Sequence, residues 1–342
     1  MSSLDLDNVK DRPDDSVDSV HLMDYPDSTE EIPILDMGPY LAGERGGLEA
    51  VARRLGEITE TVGFFYLKNH SVPLDLVDRV FAQSRRFHAL PAEVKARTPH
   101  MFVDSFQTGY SPGNVQRKKE SNVDIIKNAK PNLLSKFLVT RELPPDHPRY
   151  KVMNVWPDDL PGFRETVAEY HAAVGTLGQQ FLPLWAASLD MPIDFFDKYF
   201  EEPHLTLSLL HYPPQKEIGN RQYGIAPHTD NSFMTFLAQS NVPGLAVRMP
   251  SGHWRIVENI PGTLLVNTGN VMVRWTNDKY LSTKHRVINT ADVDRYSIPV
   301  FFGPSGDALV ECIPTCQNAE NPARHEPITY RDLRKWYYGL RD

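Results

Sequence analysis

Cysteine is nearly missing from this chain: Cys312 and Cys316 are the only two in 342 residues. Two thiols cannot make a four-thiolate zinc site, and their placement suggests no disulfide framework. Both are expected to be reduced thiols of a cytoplasmic protein. Long apolar runs are missing too, since no stretch approaches the roughly 18 residues of a membrane span. Basic charge is sparse. The formal net charge of -8 leaves no positive surface for a nucleic acid or an anionic membrane. Arg117-Lys118-Lys119 is the one basic block of any length and reads as a solvated turn. Large apolar residues are few over 1–30, where Asp and Ser are dense. That segment is expected to be an acidic, flexible tail, and neither a secretory nor an organellar leader.

What is present suits a packed fold, because 41% hydrophobic and 10% aromatic residues supply a core for one ordered domain over 31–342. Leu48, Val51, Leu55, Ile58 and Val62 recur at helical spacing up to Gly63. Phe64-Phe65-Tyr66-Leu67 reads as a short strand. Leu76, Val77, Val80, Phe81, Ser84 and Phe87 mark a second helix, and the run from Phe163 to Leu184 a third, with a kink or break expected at Pro183. From about residue 203 the rhythm becomes β. Eight short strands are predicted over 204–212, 233–238, 244–248, 254–257, 263–267, 281–289, 297–303 and 308–313, most separated by Pro, Gly or Asn. Such a series fits an antiparallel sandwich or jelly roll. A last helix is predicted from Thr329 to Leu340. The expected class is therefore α+β: a helix-rich part over 31–200, a β core over 201–320 and a C-terminal helix within 321–342.

Chemistry-bearing residues concentrate in the β half. In His228-Thr229-Asp230 an extended backbone turns the first and third side chains to one face. His285 follows 55 residues after Asp230, within another expected strand. Two imidazoles and one carboxylate on one face of an octahedron leave the other face open, which suits iron(II). The same three residues would also serve a zinc hydrolase. A His-x-Asp pair is common by chance, and His211 and His253 compete for the third position. Arg295 and Ser297 share one strand face ten residues past His285, offering a guanidinium fork and a hydroxyl to a carboxylate. Tyr212 is a further donor. For Arg295 alone, a surface ion pair is the plainer alternative.

Longer motifs sharpen this picture. Gly63-Phe64-Phe65-Tyr66-Leu67-Lys68-Asn69-His70, Arg141-Glu142-Leu143-Pro144-Pro145-Asp146-His147-Pro148 and His211-Tyr212-Pro213-Pro214 come first. His228-Thr229-Asp230, Pro261 to Gly269, Trp275-Thr276-Asn277-Asp278, Ser282 to Val287 and Arg295-Tyr296-Ser297-Ile298-Pro299 follow. In these, from about Ile32 to Tyr338, the sequence resembles the isopenicillin N synthase-like family of iron(II) and 2-oxoglutarate-dependent dioxygenases. The resemblance implies a double-stranded β-helix (jelly-roll) core with N-terminal helices packed around it. It implies His228, Asp230 and His285 as iron ligands, and Arg295 and Ser297 on the distal carboxylate of 2-oxoglutarate, with Tyr212 near its keto-acid end. A small-molecule metabolite is then oxidised by O₂, by hydroxylation or desaturation, with release of succinate and CO₂. Family members that dispense with 2-oxoglutarate keep the Arg-x-Ser pair, so a cosubstrate-independent oxidase stays open, as does a catalytically silent binding protein.

Two departures from the family stand out. Asn270 occupies a position where plant members usually carry Asp, and Asn132 to Phe137 lack an acidic residue that many relatives have. The substrate side is thus expected to be individual. Phe102, Tyr110, Phe233, Phe301 and Phe302 are candidates to line the substrate pocket, the alternative being ordinary aromatic core.

Overall fold

The computed structural model describes residues 29–103, 106–113, 130–143, 146–147, 154–215 and 222–340. The acidic segment up to residue 28 and Arg117-Lys118-Lys119 lie outside the described residues. Strand β1 (Ile34–Asp36) pairs in parallel with β2 (Phe64–Lys68). Between them lie a short helix α1 (Gly38–Leu41) and helix α2 (Gly47–Thr61), which buries Val51, Leu55 and Ile58 as its spacing predicts. Helix α3 (Leu74–His88) buries Leu76, Val80, Phe81 and Phe87, and the short α4 (Ala92–Lys95) follows.

Strands β3 (Met101–Val103), β4 (Phe106–Ser111) and β5 (Ser135–Thr140) were not anticipated. They form an antiparallel series that extends the main sheet through pairing of β5 with the next strand. Helix α5 (Phe163–Ser188) runs 26 residues and does not break at Pro183, contrary to one expectation. Only one backbone donor is lost there, while Phe181, Leu182, Leu184 and Trp185 are fully buried and hold both halves of the helix.

Eight strands make the jelly roll. They are β6 (His204–Tyr212), β7 (Ile225–His228), β8 (Met234–Gln239), β9 (Leu245–Arg248), β10 (Trp254–Ile256), β11 (Leu264–Thr268), β12 (His285–Val287) and β13 (Arg295–Gly303). Helix α6 (Asn270–Trp275) separates β11 from β12. The large sheet runs β1-β2-β11-β8-β13-β6-β5-β4-β3, and the small one β10-β9-β12-β7. Seven of the expected core strands are present, although 281–289 shrinks to β12. Segment 308–313 retains only β14 (Leu309–Val310), which pairs with β15 (Ile328–Thr329) apart from the two sheets. The missing eighth core strand is β7. Helix α7 (Tyr330–Tyr337) follows β15, its Thr329 hydroxyl capping the Asp332 amide at 3.2 Å.

The main core lies between the large sheet and helices α2, α3 and α5, where Phe181, Trp185 and Phe236 pack together. A smaller cluster holding Phe64, Leu210, Val247 and Val287 fills the space between the two sheets. The open end of that second space carries the candidate site.

Candidate active site

His228 and His285 are direct partners across the antiparallel pair β7 and β12. Their ring centroids stand 4.2 Å apart. Asp230 is not on the strand as the extended-backbone argument assumed; it sits in the turn that leaves β7. Its side chain nevertheless converges with both rings, Oδ1 lying 3.9 Å from His228 Nε2 and 3.7 Å from His285 Nε2. Among the described residues this is the one group of three His, Cys, Asp or Glu side chains brought so close, within 4.8 Å of one another.

Neighbouring bonds orient each donor atom. His228 Nδ1 is 2.9 Å from the Ala226 carbonyl and His285 Nδ1 3.2 Å from the Thr283 carbonyl. A carbonyl only accepts, so each Nδ1 carries the hydrogen, and in the neutral ring Nε2 holds the lone pair that faces Asp230. Asp230 Oδ2 accepts from Thr235 Oγ1 at 2.6 Å and Asn267 Nδ2 at 2.8 Å. That leaves Oδ1 turned towards the imidazoles. Burial pushes the Asp230 carboxyl up, but His285, His228, Asn267 and Thr235 together outweigh it and hold the group below its ordinary range. Two imidazole nitrogens and one carboxylate oxygen, aimed at a common point, fit a divalent transition metal.

The turn bearing Asp230 is tied to the start of α6. The Asn270 amide N donates to the Asp230 carbonyl at 2.7 Å. Asn270 Nδ2 donates to Asn231 Oδ1 at 2.9 Å and Thr229 Oγ1 at 3.1 Å, one on each side of Asp230. Gly269 permits this approach, because a Cβ there would overlap the Ser232 carbonyl oxygen. The residue that departs from the family pattern thus clamps the turn of a candidate ligand.

On the facing sheet, β13 pairs with β6 so that Arg295 stands opposite Tyr212. Arg295 is 1% exposed, and its guanidinium carbon is 5.0 Å from the centre of the Tyr212 ring. Nη1 donates to Ser297 Oγ at 3.4 Å, Nε has no partner, and no carboxylate among the described residues acts on the group. Burial pushes its pKa down, with Tyr212 pulling the other way. The plainer alternative, a surface ion pair, is therefore ruled out by position. A buried guanidinium without an anion is costly, so this geometry fits a carboxylate-bearing ligand.

A cavity of about 150 Å³ opens beside the triad and takes His228 and Asp230 into its wall. Of the five aromatic candidates, only Phe301 lines it. Phe302 cannot join Phe301, because consecutive residues of a strand face opposite ways; it lies 5.1 Å from Phe200 in the main core. Phe233 is fully buried in the same aromatic cluster, against Trp185, Phe196 and Trp275. Tyr110 packs on Phe87, and Phe102 is 44% exposed, touching only the rim through Tyr338. Sequence reasoning missed Lys136, Arg334 and Tyr338 in the cavity wall. Lys136 sits in the segment already marked as unusual, whereas nothing local marks the residues of α7.

Comparison with known proteins agrees with this geometry. Residues 32–159 match the family described as non-haem dioxygenase in morphine synthesis N-terminal, and residues 203–304 match the 2OG-Fe(II) oxygenase superfamily. A 2-oxoglutarate-Fe(II) type oxidoreductase of Emericella nidulans, hxnY, is 35% identical over 318 residues, 90% of this chain and 89% of its own. The chain belongs to the 2-oxoglutarate and iron(II) oxygenase superfamily. It is accordingly an oxidoreductase with a jelly-roll core, and its cofactors are iron(II), 2-oxoglutarate and O₂. A second relative, from Aspergillus fumigatus and also called a 2-oxoglutarate-Fe(II) type oxidoreductase, is 33% identical over 88% of this chain and 90% of its own. Among solved structures, a full-length Neurospora crassa protein crystallised in complex with alpha-KG and thymine superposes with a TM-score of 0.80 at 29% identity, covering 91% of this chain and 97% of that one. No helix among the described residues is long and apolar enough to cross a membrane.

Proposed function

We propose that His228, Asp230 and His285 hold the iron(II) of this dioxygenase, and that Arg295 and Ser297 receive the distal carboxylate of 2-oxoglutarate, with Tyr212 near its keto-acid end. The primary substrate is a small-molecule metabolite that is hydroxylated or desaturated while 2-oxoglutarate leaves as succinate and CO₂. The observation that carries this is a converging His-Asp-His group together with a buried Arg295 guanidinium whose Nε has no partner and on which no carboxylate among the described residues acts. Iron(II), when bound, supplies the O₂-dependent redox chemistry. The chain's own work is positional. The Ala226 and Thr283 carbonyls fix both rings, Thr235 and Asn267 hold Oδ2 of Asp230, and the buried Arg295 orients the cosubstrate. The thymine and 5-formyluracil complexes of the Neurospora crassa protein support a substrate of that size class.

We further infer that 31–342 act as one catalytic unit, supported by the large sheet, in which β1 to β5 share one hydrogen-bonded array with the jelly-roll strands. Two free cysteines and the acidic net charge support a cytoplasmic enzyme without nucleic-acid partners.

Oxygen uptake by purified, iron-loaded protein, with and without 2-oxoglutarate, tests the proposal. Turnover should require both iron(II) and 2-oxoglutarate, yield succinate and be inhibited by added zinc. Substrate-driven uptake without 2-oxoglutarate would point to the cosubstrate-independent oxidases. Bound iron with no succinate from any substrate would point to a silent binding protein.

A further inference from the structure

Asn132 lies in the segment that stands out in the sequence, and the structure pins that segment to the strand bearing the first histidine. Gln222 Nε2 donates to the Pro131 carbonyl at 2.6 Å, and the Leu133 amide donates to the Tyr223 carbonyl at 2.8 Å. Between them the Ala226 amide donates to Asn132 Oδ1 at 3.0 Å. Ala226 precedes His228 by two residues on β7, and its carbonyl is the acceptor that orients the His228 ring. One residue thus holds a candidate iron ligand with its carbonyl and Asn132 with its amide. The same stretch also passes over the other half of the site. A Cβ on Gly224 would come 2.9 Å from Cδ1 of Tyr212, the residue whose ring lies under the Arg295 guanidinium. Asn132 is therefore tied to a short length of chain that carries the first ligand at one end and touches the arginine's aromatic partner at the other.

The direction of the Ala226 bond decides which end of the Asn132 side chain is spent. A backbone N–H only donates, so Oδ1 is the acceptor and the NH₂ is the free prong. Among the described residues nothing takes up the hydrogens of Nδ2. Asn132 lines the cavity together with His228 and Asp230. It brings a donor of fixed orientation to that wall without bringing charge. No acidic residue occurs over 132–137 to repel an anion beside it.

We propose that the NH₂ of Asn132 binds the keto-acid end of 2-oxoglutarate, as Arg295 binds its distal end. This rests on the reading of the iron and cosubstrate site given above. A 2-oxo acid has three oxygens at that end. A metal that grips the keto oxygen and one carboxylate oxygen leaves the third with charge and no ligand. Such an oxygen is costly to bury unless a donor meets it. Asn132 offers that donor from the segment that links the ligand strand to the Tyr212–Arg295 pair. The cosubstrate is then held at three places along its length: by the metal, by Asn132, and by Arg295 with Ser297.

The test separates the two ends of the cosubstrate without requiring turnover. 2-Oxoglutarate and 2-oxopentanoate, which shares the keto-acid end and lacks the distal carboxylate, are titrated calorimetrically into anaerobic, iron(II)-loaded protein. Asn132→Asp keeps the shape and the oxygen that accepts from Ala226, but exchanges the NH₂ for a second carboxylate oxygen. Asn132→Ala removes the donor without adding charge. Both variants should bind both acids about tenfold or more weakly, the loss typical of a hydrogen bond to a charged group. Arg295→Ala should weaken 2-oxoglutarate alone. Iron(II) affinity, measured without either acid, should stay at the wild-type value in Asn132→Ala, as it must if His228 is undisturbed. Wild-type affinity of Asn132→Ala for both acids would overturn the proposal, even if Asn132→Asp binds them weakly or fails to fold. So would a loss confined to 2-oxoglutarate, or a fall in iron(II) affinity large enough to account for the weaker binding. 2-Oxopentanoate that does not bind a wild-type protein that binds 2-oxoglutarate would overturn it too. Failure of 2-oxoglutarate itself to bind would instead count against the cosubstrate site.

Discussion

Tyr212 and Arg295 face each other across the β6–β13 pair, with the guanidinium carbon 5.0 Å from the ring centre. The contact seats a cation on an aromatic face in a dry interior and leaves its Nε aimed at no protein acceptor. Arg295→Ala removes the partner of the cosubstrate's distal carboxylate. Losing one side of a buried pair costs about 3–5 kcal/mol, so the KM for 2-oxoglutarate is expected to rise by about two to three decades, at about 1.4 kcal/mol per tenfold. Arg295→Lys should be intermediate, because one ammonium replaces a two-pronged fork. Steady-state kinetics in 2-oxoglutarate, beside an iron titration that should change little, checks both.

His228→Ala or Asp230→Ala should abolish turnover and leave a folded barrel, since both side chains lie at the rim of the small sheet rather than in the main core. Iron(II) affinity should fall by about two decades or more, beyond the 10–100-fold typical of losing an outer partner. Metal titration with circular dichroism on the same samples reads both effects. Full iron-dependent turnover by either variant would refute the ligand assignment.

Asn267→Ala and Thr235→Val address the oxygen of Asp230 that faces away from the histidines. Each removes one of the two bonds that hold Oδ2. Iron(II) affinity is expected to drop by roughly 10–100-fold in each, as for other groups that orient a ligand. The double variant should lose more than either single one. If competition with a chelator gives wild-type affinity for both, these bonds do not orient the ligand.

How much of this was legible beforehand depended on distance along the chain. Arg295 and Ser297 lie two residues apart on one strand, so the parity of an extended chain was enough to group them. His228 and Asp230 have the same spacing, but Asp230 joins from the turn after β7, so strand parity does not account for their meeting. Strand β7 escaped notice because it has only four residues, contains Pro227 and begins just after Gly224. Phe301 and Phe302 could not be told apart, since a run of bulky apolar residues carries no mark of which neighbour faces the interior until register is fixed. Strands β3 to β5 depend on pairing with β6, and Arg334 reaches the cavity from a helix about 100 residues past the first ligand. Such contacts are tertiary, and no local periodicity announces them.

Gly269→Ala should damage stability and metal binding together. The added methyl would overlap the Ser232 carbonyl and press on the Asp230 carbonyl at 3.0 Å. Both neighbours are backbone and cannot swing aside. The expected result is a drop in Tm of several degrees, corresponding to about 1–3 kcal/mol, with weaker iron binding. A variant with unchanged Tm and unchanged affinity would show that the turn can yield.

The clamp at Asn270 also bears on how this region can drift between relatives. An amide at that position gives hydrogens to Asn231 Oδ1 and Thr229 Oγ1, whereas a carboxylate has none to give. Where descent has placed Asp at the equivalent of 270, the residue at 231 must reverse its role and donate. Thr229 and Asn231 can each donate as well as accept, so the same two neighbours can serve either residue at 270, by a turned hydroxyl and a flipped amide. The turn around Asp230 then keeps its ties while the direction of its hydrogen bonds reverses.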